Sequence, residues 1–467
     1  MNSSPRRTRR SRRRVLALTP VVLGALVMSA CSGTSPAPEA SGPVTLTVGN
    51  LPPASNEAAR KVFLSKVDAF EAAHPDITIE ASETTWDPQT FAAQLAGGSL
   101  PTVISVPLTE LQGLISRQQV KDISSAYETN DALKVLNPAT TVGVQDDQGR
   151  YFGIPTEAYT LGLLLNRSVF EKAGLDPDTT PLSTWDDVVK AATQISQKTD
   201  AAGYAPLATT NQGGWTTAAI AATYGSLIQE VDGDTVTATL DSPGVVDALT
   251  MLKELRWDAD AVGQNYLLDF NAVAPLFASG SYGIMVGASG WYSPLVITNG
   301  MKPDDFGLRP LPQTPDSLGN LGGGAVTVVK PTATDAETAA AVEWTTFYYL
   351  NRYTDLDFAK EEAASRAADG APVPSVGLPL VNEQLYASYL DAIQADVNVP
   401  LQNIAPYQDA VTAEGYTIVA EPKVEAQQLY GLLDAVVQAV LTDENTDIAQ
   451  ALATAQAQAE SIVAAAP

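Results

Sequence analysis

The two residue types that most often carry reactive chemistry occur once each, as His74 and Cys31. A Ser-His-Asp relay would have to run through His74, which sits before Pro75 in a turn with no nucleophile paired to it. One His and one Cys cannot build a zinc site of the His/Cys type, and one Cys makes no intramolecular disulfide. Carboxylate chemistry and binding chemistry are left. Paired acids stand at Asp146-Asp147, Asp186-Asp187, Asp304-Asp305 and Asp443-Glu444. Two carboxyl groups at a set separation are all a glycoside hydrolase needs, so a secreted hydrolase is the alternative reading. All four pairs fall in polar turns or helix starts, where solvation or capping accounts for them. Asp232-Gly233-Asp234 and Asp258-Ala259-Asp260 do not continue into a twelve-residue calcium loop. Gly322-Gly323-Gly324 lacks the Gly-Lys-Ser/Thr of a phosphate loop. No catalysis, metal or cofactor is expected.

Charge narrows the partners. The 467 residues include 27 Lys+Arg against 53 Asp+Glu, for a net charge of −26. The first 30 residues hold seven of the Arg and no acid, so the remainder is more acidic still. Nucleic acid and anionic membrane faces both require clustered cations, so the body is expected to bind neither. A hydrophobic fraction of 45% suffices for a packed core. The length suggests two or three domains.

The N-terminus reads as an export signal over 1–30. A run of Arg is followed by apolar residues from Val15 to Ala30, too short and too interrupted for a helix spanning a membrane, which takes about 20 residues. Ser11-Arg12-Arg13-Arg14-Val15-Leu16 resembles a twin-arginine signal, and an ordinary secretory n-region fits equally well. Met28-Ser29-Ala30-Cys31 resembles a bacterial lipobox, which implies that Cys31 is lipidated and becomes the mature N-terminus. Residues 32–43, rich in Ser, Gly and Pro, follow as a tether. Anchor, tether and acidic body together describe a protein held on the extracytoplasmic face of the cell membrane.

In the body, Val44-Thr45-Leu46-Thr47-Val48 alternates with the period of a strand. Phe63, Val67 and Phe70 follow at helical spacing. Strands are expected at Ile77–Ile79, Val103–Val106, 161–165, Gly283–Val286 and Ala325–Val329. Helices are expected around Phe91–Leu95, Leu108–Ser116, after Thr184, and at 446–466. This alternation predicts an α/β fold with a largely parallel sheet.

The order of five stretches resembles the family 1 extracellular solute-binding proteins of ABC importers, the class of maltose-binding protein. They are Phe70–Ile77; Leu95–Val103, similar to the family's A-x-G-x-x-P-D-V with Thr102 for Asp; Gly149–Pro155, Leu165–Leu175 and Thr184–Asp187; Phe277–Met285 with Gly290-Trp291; and Gly322-Gly323-Gly324. The resemblance implies two α/β lobes joined by hinge strands, with a ligand cleft between them. It places lobe one at 44–156 plus 325–365 and lobe two at 157–318 plus 370–467. It implies a monomer that captures a carbohydrate, an oligosaccharide in particular, or in the alternative a non-sugar solute, and hands it to the transmembrane subunits of an ABC permease.

A sugar presents a flat C–H face and a rim of hydroxyls, so its site needs aromatic faces ringed by polar groups. The resemblance assigns ligand stacking to Trp291, after a strand and a Gly-rich turn; packing beside Tyr292 is the alternative. Trp215, behind Asn211-Gln212-Gly213-Gly214, stands where the family contacts ligand from a helix start, and lobe packing reads equally well. Tyr159 and its neighbour Glu157 lie near the first crossover, and Asn50 ends the first strand at the family's first cleft loop. Gly323 would let backbone approach the ligand or serve the hinge alone. Trp86, Trp185, Trp257 and Trp344 read as packing residues. Few Lys or Arg fall near the proposed cleft, so a phosphorylated ligand is not expected.

Overall fold

The computed structural model describes residues 43–466 apart from 233, 234 and 414. The export signal over 1–30, Cys31 and the tether up to residue 42 lie outside the described residues. Among the described residues no helix is long and apolar enough to cross a membrane.

Eleven strands form the framework: β1 Val44–Val48, β2 Ile77–Ala81, β3 Val103–Pro107, β4 Ile154–Asn166, β5 Ala202–Ala205, β6 Gln229–Asp232, β7 Thr235–Ala238, β8 Tyr282–Ala288, β9 Phe306–Pro310, β10 Asn320–Val329 and β11 Ile418–Ala420. Nine of them run in one sheet with the path β2-β1-β3-β10-β4-β8-β5, with β9 on β4 and β11 on β10; β6 and β7 form a separate hairpin. The expected largely parallel sheet is in fact mixed. β1 is parallel to β2 and β3, and β5 to β8. β10 is antiparallel to both β3 and β4, and β4 to β8 and β9. The antiparallel pairs arise because β4 and β10 carry the chain across the molecule in opposite directions.

Those two strands are longer than the sequence pattern suggests, and each splits between two bodies of core. At one end, Ile154 and Val329 join Leu46, Phe70, Trp344 and Tyr386 in a buried cluster, while Val326 and Val328 pack with Phe91, Ile104 and Leu111. At the other end, Leu161, Leu163, Leu165 and Leu321 join Trp185, Ile195, Leu249 and Leu433. Leu164 turns to the opposite face and packs with Phe277, Met285, Phe306 and Tyr407. Burial on both faces explains why 161–165 is a continuous apolar run rather than an alternating one.

The boundary expected at residue 370 does not follow this packing. Val373, Leu380, Val381, Tyr386, Tyr389 and Ile393 pack with Leu46 and Trp344. Leu378, and then Val399, Ile404, Tyr407 and Val411, pack with Phe277 and Phe306. The helix Glu383–Ile393 therefore belongs with the first body, because its buried face is the tyrosine pair Tyr386 and Tyr389 against Tyr353.

At mid-span the crossing strands touch closely. Gly322, Gly323 and Gly324 of β10 face Thr160, Tyr159 and Ala158 of β4, and the register slips by one residue between Ala325 and Val326. The slip coincides with Pro155, which has no N–H to give the ladder, and a bulge is where a strand accommodates that loss. A Cβ on Gly323 would stand 2.6 Å from the Tyr159 hydroxyl, and one on Gly324 would stand 1.9 Å from the Glu157 carbonyl oxygen. Backbone cannot yield at the second contact as a side-chain tip can. Gly324→Ala is therefore expected to destabilise the protein by about 1–3 kcal/mol through overpacking, read as a lower urea midpoint. Gly149→Ala, where nothing lies within 4 Å of the built Cβ but φ is +74°, should cost less, about 1 kcal/mol from the left-handed backbone alone.

Candidate functional site

A cavity of about 810 Å³ opens where β4 crosses between the two bodies of core. Its walls include Glu157 and Tyr159 from β4, Gly324 from β10, Trp215, Trp291, Glu421 and Tyr430 from one side, and Tyr349, Arg352 and Tyr353 from the other.

Each aromatic is held by its own local device. Trp215 lies in the first turn of the helix Gln212–Thr223, whose start is fixed by Asp434. The carboxylate of Asp434 accepts from Asn211 N at 2.7 Å and from Gly214 N at 2.8 Å. Burial pushes the Asp434 carboxyl up against those backbone donors, which hold it down. A side chain at Gly214 would collide with the Tyr430 backbone, at 2.1 Å from its carbonyl oxygen, so glycine lets this helix start approach the helix Ala426–Thr442. Trp291 closes the short turn Ser289–Trp291 behind β8. Its ring lies over Gly287, where a Cβ would meet it at 2.3 Å, and stacks on Phe270 with centroids 3.8 Å apart and 29° between planes. Trp215 and Trp291 are 5.9 Å apart, and Tyr159 meets Trp215 edge to face at 6.3 Å.

Glu421 ties this aromatic floor together. Its Oε1 accepts from Trp215 Nε1 and from the Tyr159 hydroxyl, each at 3.3 Å, and its Oε2 accepts from the Tyr430 hydroxyl at 3.1 Å. Burial raises the Glu421 carboxyl above its ordinary value, with the donors from Tyr430, Trp215 and Tyr159 acting in the opposite direction. Burial and the nearby Glu421 charge raise Tyr159 as well. Both phenols therefore stay protonated and act as donors. The carboxylate retains about one acceptor position, on Oε2, since each oxygen can accept about two bonds and Oε1 already takes two. An aromatic surface with strong acceptors at its edge suits a ligand with an apolar face and donor groups around it.

Of the residues expected at the site, Trp291, Trp215, Tyr159 and Glu157 all line this cavity. Asn50 does not. Its side-chain oxygen accepts from Ser105 N at 2.8 Å and ties the end of β1 to β3, with a φ of 64°. Gly323 does not line the cavity but lines two further hollows; what it makes room for is the Tyr159 ring. Among the packing residues, Trp185 and Trp344 are buried, Trp86 packs on Phe91 at 4.8 Å, and Trp257 donates to Val440 O at 2.8 Å. The sequence reading missed Glu421, Tyr430, Tyr349, Arg352 and Tyr353. The last three recur at 349, 352 and 353 on one helix, a spacing that puts them on one face and offered a signal. Glu421 had none, because its partners come from residues 159, 215 and 430.

The raised carboxyl of Glu421 has a testable sign. The folded protein holds that proton more tightly than the unfolded chain, whose group titrates at its ordinary value of 4.5. Stability contributed by the group is therefore lost as pH rises from 4.5 through the folded value. Glu421→Gln should remove this loss. The unfolding free energy of the variant minus that of wild type is expected to increase with pH across that window and then level off, and a difference independent of pH would refute the assignment.

A family model described as bacterial extracellular solute-binding protein matches residues 54–355. Solved structures are similar over most of their length. A cyclic alpha-maltosyl-1,6-maltose binding protein from Arthrobacter globiformis is 21% identical, covering 90% of this chain and 99% of its own, with a TM-score of 0.69. The sugar-binding protein MalE from Xanthomonas citri is 17% identical over 90% and 97%, with a TM-score of 0.67. UgpB from Mycobacterium tuberculosis, solved in complex with glycerophosphocholine, is 15% identical over 91% and 99%, with a TM-score of 0.65. No curated protein matches by sequence. At these identities the structural likenesses establish a two-lobe binding-protein fold, and the family match, spanning most of the chain, adds the membership: this protein belongs to the bacterial extracellular solute-binding proteins.

Proposed function

We propose that this protein captures a carbohydrate in the cavity between its lobes and delivers it to the transmembrane subunits of an ABC permease. The observation that carries the reading is the aromatic floor of Trp215, Trp291 and Tyr159 gathered around the carboxylate of Glu421. Aromatic faces cover the C–H surface of a sugar ring, and a desolvated carboxylate pairs its hydroxyls. Unpaired, a buried hydroxyl costs about 1–3 kcal/mol. Asn211, Gln212 and Gln427 line the same cavity and extend the polar rim. A volume near 810 Å³ is in the upper part of the ~300–1,000 Å³ range of small-molecule sites, which favours an oligosaccharide over a single ring. The solved relatives described as binding cyclic maltosyl-maltose and as a sugar-binding MalE point the same way.

In this reading lobe one comprises about 44–156 and 325–393, and lobe two about 157–324 and 397–467, with β4 and β10 as hinge strands. Ligand binding closes the lobes by no more than its differential affinity for the closed state. The protein works as a monomer, without catalysis. Export by the N-terminal signal and lipidation at Cys31 hold it on the extracytoplasmic face of the membrane, beside its permease.

Thermal unfolding of the exported body against mono- and oligosaccharides, glycerol phosphates and amino acids tests the reading. A ligand at about 100 times its Kd should add about 2.7 kcal/mol to the folded state. Stabilisation by a sugar class, with the sugar recovered unchanged by chromatography, supports capture. Cleavage of the sugar would make the protein a hydrolase, and stabilisation by another solute alone would overturn the carbohydrate assignment. Trp291→Ala is expected to weaken sugar binding about tenfold or more while costing the fold less than the loss of a fully buried Trp. Trp344→Ala should do the reverse, with unfolding destabilised by about 3–5 kcal/mol, because Trp344 is 2% exposed and packs on Phe63, Phe70 and Tyr348 far from the ligand floor.

A further inference from the structure

The two walls of the cleft differ in charge, and this bears on which carbohydrate it takes, an inference that rests on the reading above. Arg352 is the one cation among the described residues lining the cavity. Among those residues its only hydrogen bond runs from Nη2 to Glu362 Oε1, at 2.9 Å. A guanidinium carries five N–H groups in a planar fork, so most of its donors are unspent, and its side chain keeps 20% exposure at the cavity wall.

Glu362 is not reserved for Arg352. The same Oε1 lies 3.3 Å from Lys66 Nζ, and both of those side chains are largely buried. Arg366 is close by: its Nη2 donates to Pro372 O and to Ser375 Oγ, and Ser375 also lines the cavity. Arg352 and Lys66 thus share one carboxylate, with Arg366 near enough for its charge to be felt, in a half-buried region of a chain whose net charge is −26. The crowding is felt. Burial and the neighbouring Arg352 charge lower Arg366, and burial lowers Lys66, with Glu362 pulling both back up. Burial works against the Arg352 charge, but Glu362 and the nearby tyrosines hold the guanidinium charged, and its free fork is shaped for a carboxylate or phosphate. Across the cleft Glu421 would repel an anion, while Glu157 of β4 lies near enough to Tyr349 for its charge to add to the burial that raises that phenol.

We infer that the cleft takes a carbohydrate bearing one anionic group, a carboxylate or a phosphate, seated against Arg352 while the uncharged rings lie on Trp215 and Trp291. The ligand thereby acquires a direction: acidic end toward the helix Asp335–Thr354, hydroxyl-rich end toward Glu421.

Calorimetric titration of wild type, Arg352→Gln and Arg352→Lys tests this, using a neutral glucose disaccharide, its counterpart carrying a glucuronate ring, and glucose 1-phosphate. Wild type should bind one of the two acids about tenfold or more tightly than the neutral sugar, with the gap narrowing as salt is raised. Which acid binds distinguishes a carboxylate ligand from a phosphate one. Arg352→Gln should abolish the gap between acid and neutral sugar, and Arg352→Lys should keep part of it. Unliganded melting of each variant reports folding, and the salt dependence of wild type needs no variant. Neutral sugar bound as tightly as both acids, or a gap that survives in Arg352→Gln, would overturn the inference while leaving carbohydrate capture intact. No binding by any of the three sugars, together with binding of a non-sugar solute, would remove both.

Discussion

The contact between β4 and β10 at mid-span is the constraint from which the rest of the site follows. Two bodies of core must be joined by strands that belong to both, and a strand pair can do this only if its backbones stay hydrogen-bonded through the change of surroundings. Here the junction falls on Gly322-Gly323-Gly324 opposite Ala158–Thr160. Side chains are absent on one strand, so the other can turn the bulk of Tyr159 inward over Gly323. The bulge beside Pro155 re-aims the neighbouring residues, and Glu157 and Tyr159 both reach the cavity. The crossing of the strands and the aromatic floor of the cavity are thus one structure rather than two neighbours.

Glu421 converts that placement into chemistry. Its three donors come from the crossing strand, from the start of one helix and from the middle of another. Asp434 fixes the first of those helices from the second, so the two carboxylates work in series: one sets the helix, the other sets the aromatic rings. Both are buried enough to be raised above their ordinary values, which means that burial costs something here and backbone or phenol donors offset it. Hydrogen bonds within the protein hold three of these rings in place, and that matters because ordering loose side chains on binding costs about 0.5–1.5 kcal/mol each.

Much of the fold was legible because its elements are local. β1, β2, β3 and the helices around Phe63–Phe70 and Leu108–Ser116 announce themselves by period. The errors have physical causes. A largely parallel sheet was inferred from alternation of strand and helix, but alternation says nothing of strands that return across the molecule. β4 looked short because its first half is half-buried and holds Pro155 and Glu157, while its second half is buried on both faces. β10 began at Ala325 in the sequence reading because three glycines resemble a turn. The helix Glu383–Ile393 went to the wrong body because only packing against Tyr353 assigns it. In the site, aromatics that follow a Gly-rich turn were recognisable. Asn50 sat at a suggestive position and proved to be occupied by the Ser105 amide.

Charge composition and charge placement give different answers for this protein, and the difference decides what the cleft can hold. A chain with about twice as many acids as bases is on average a poor host for an anion. Averages describe the field far from the surface, where salt screens it within about 10 Å. Inside a cleft the nearest charges dominate, because low-dielectric walls screen them less. Arg352, Arg366 and Lys66 come from residues that are far apart in sequence in one case and one helix turn apart in none, so no run of basic residues marks them. Folding brings Arg352 and Lys66 onto Glu362 and sets Arg366 close by. The acidic exterior then has a separate consequence: it slows the approach of any anionic ligand, while Arg352 strengthens its hold once inside. Selectivity in such a cleft resides in the rate of departure more than in the rate of arrival.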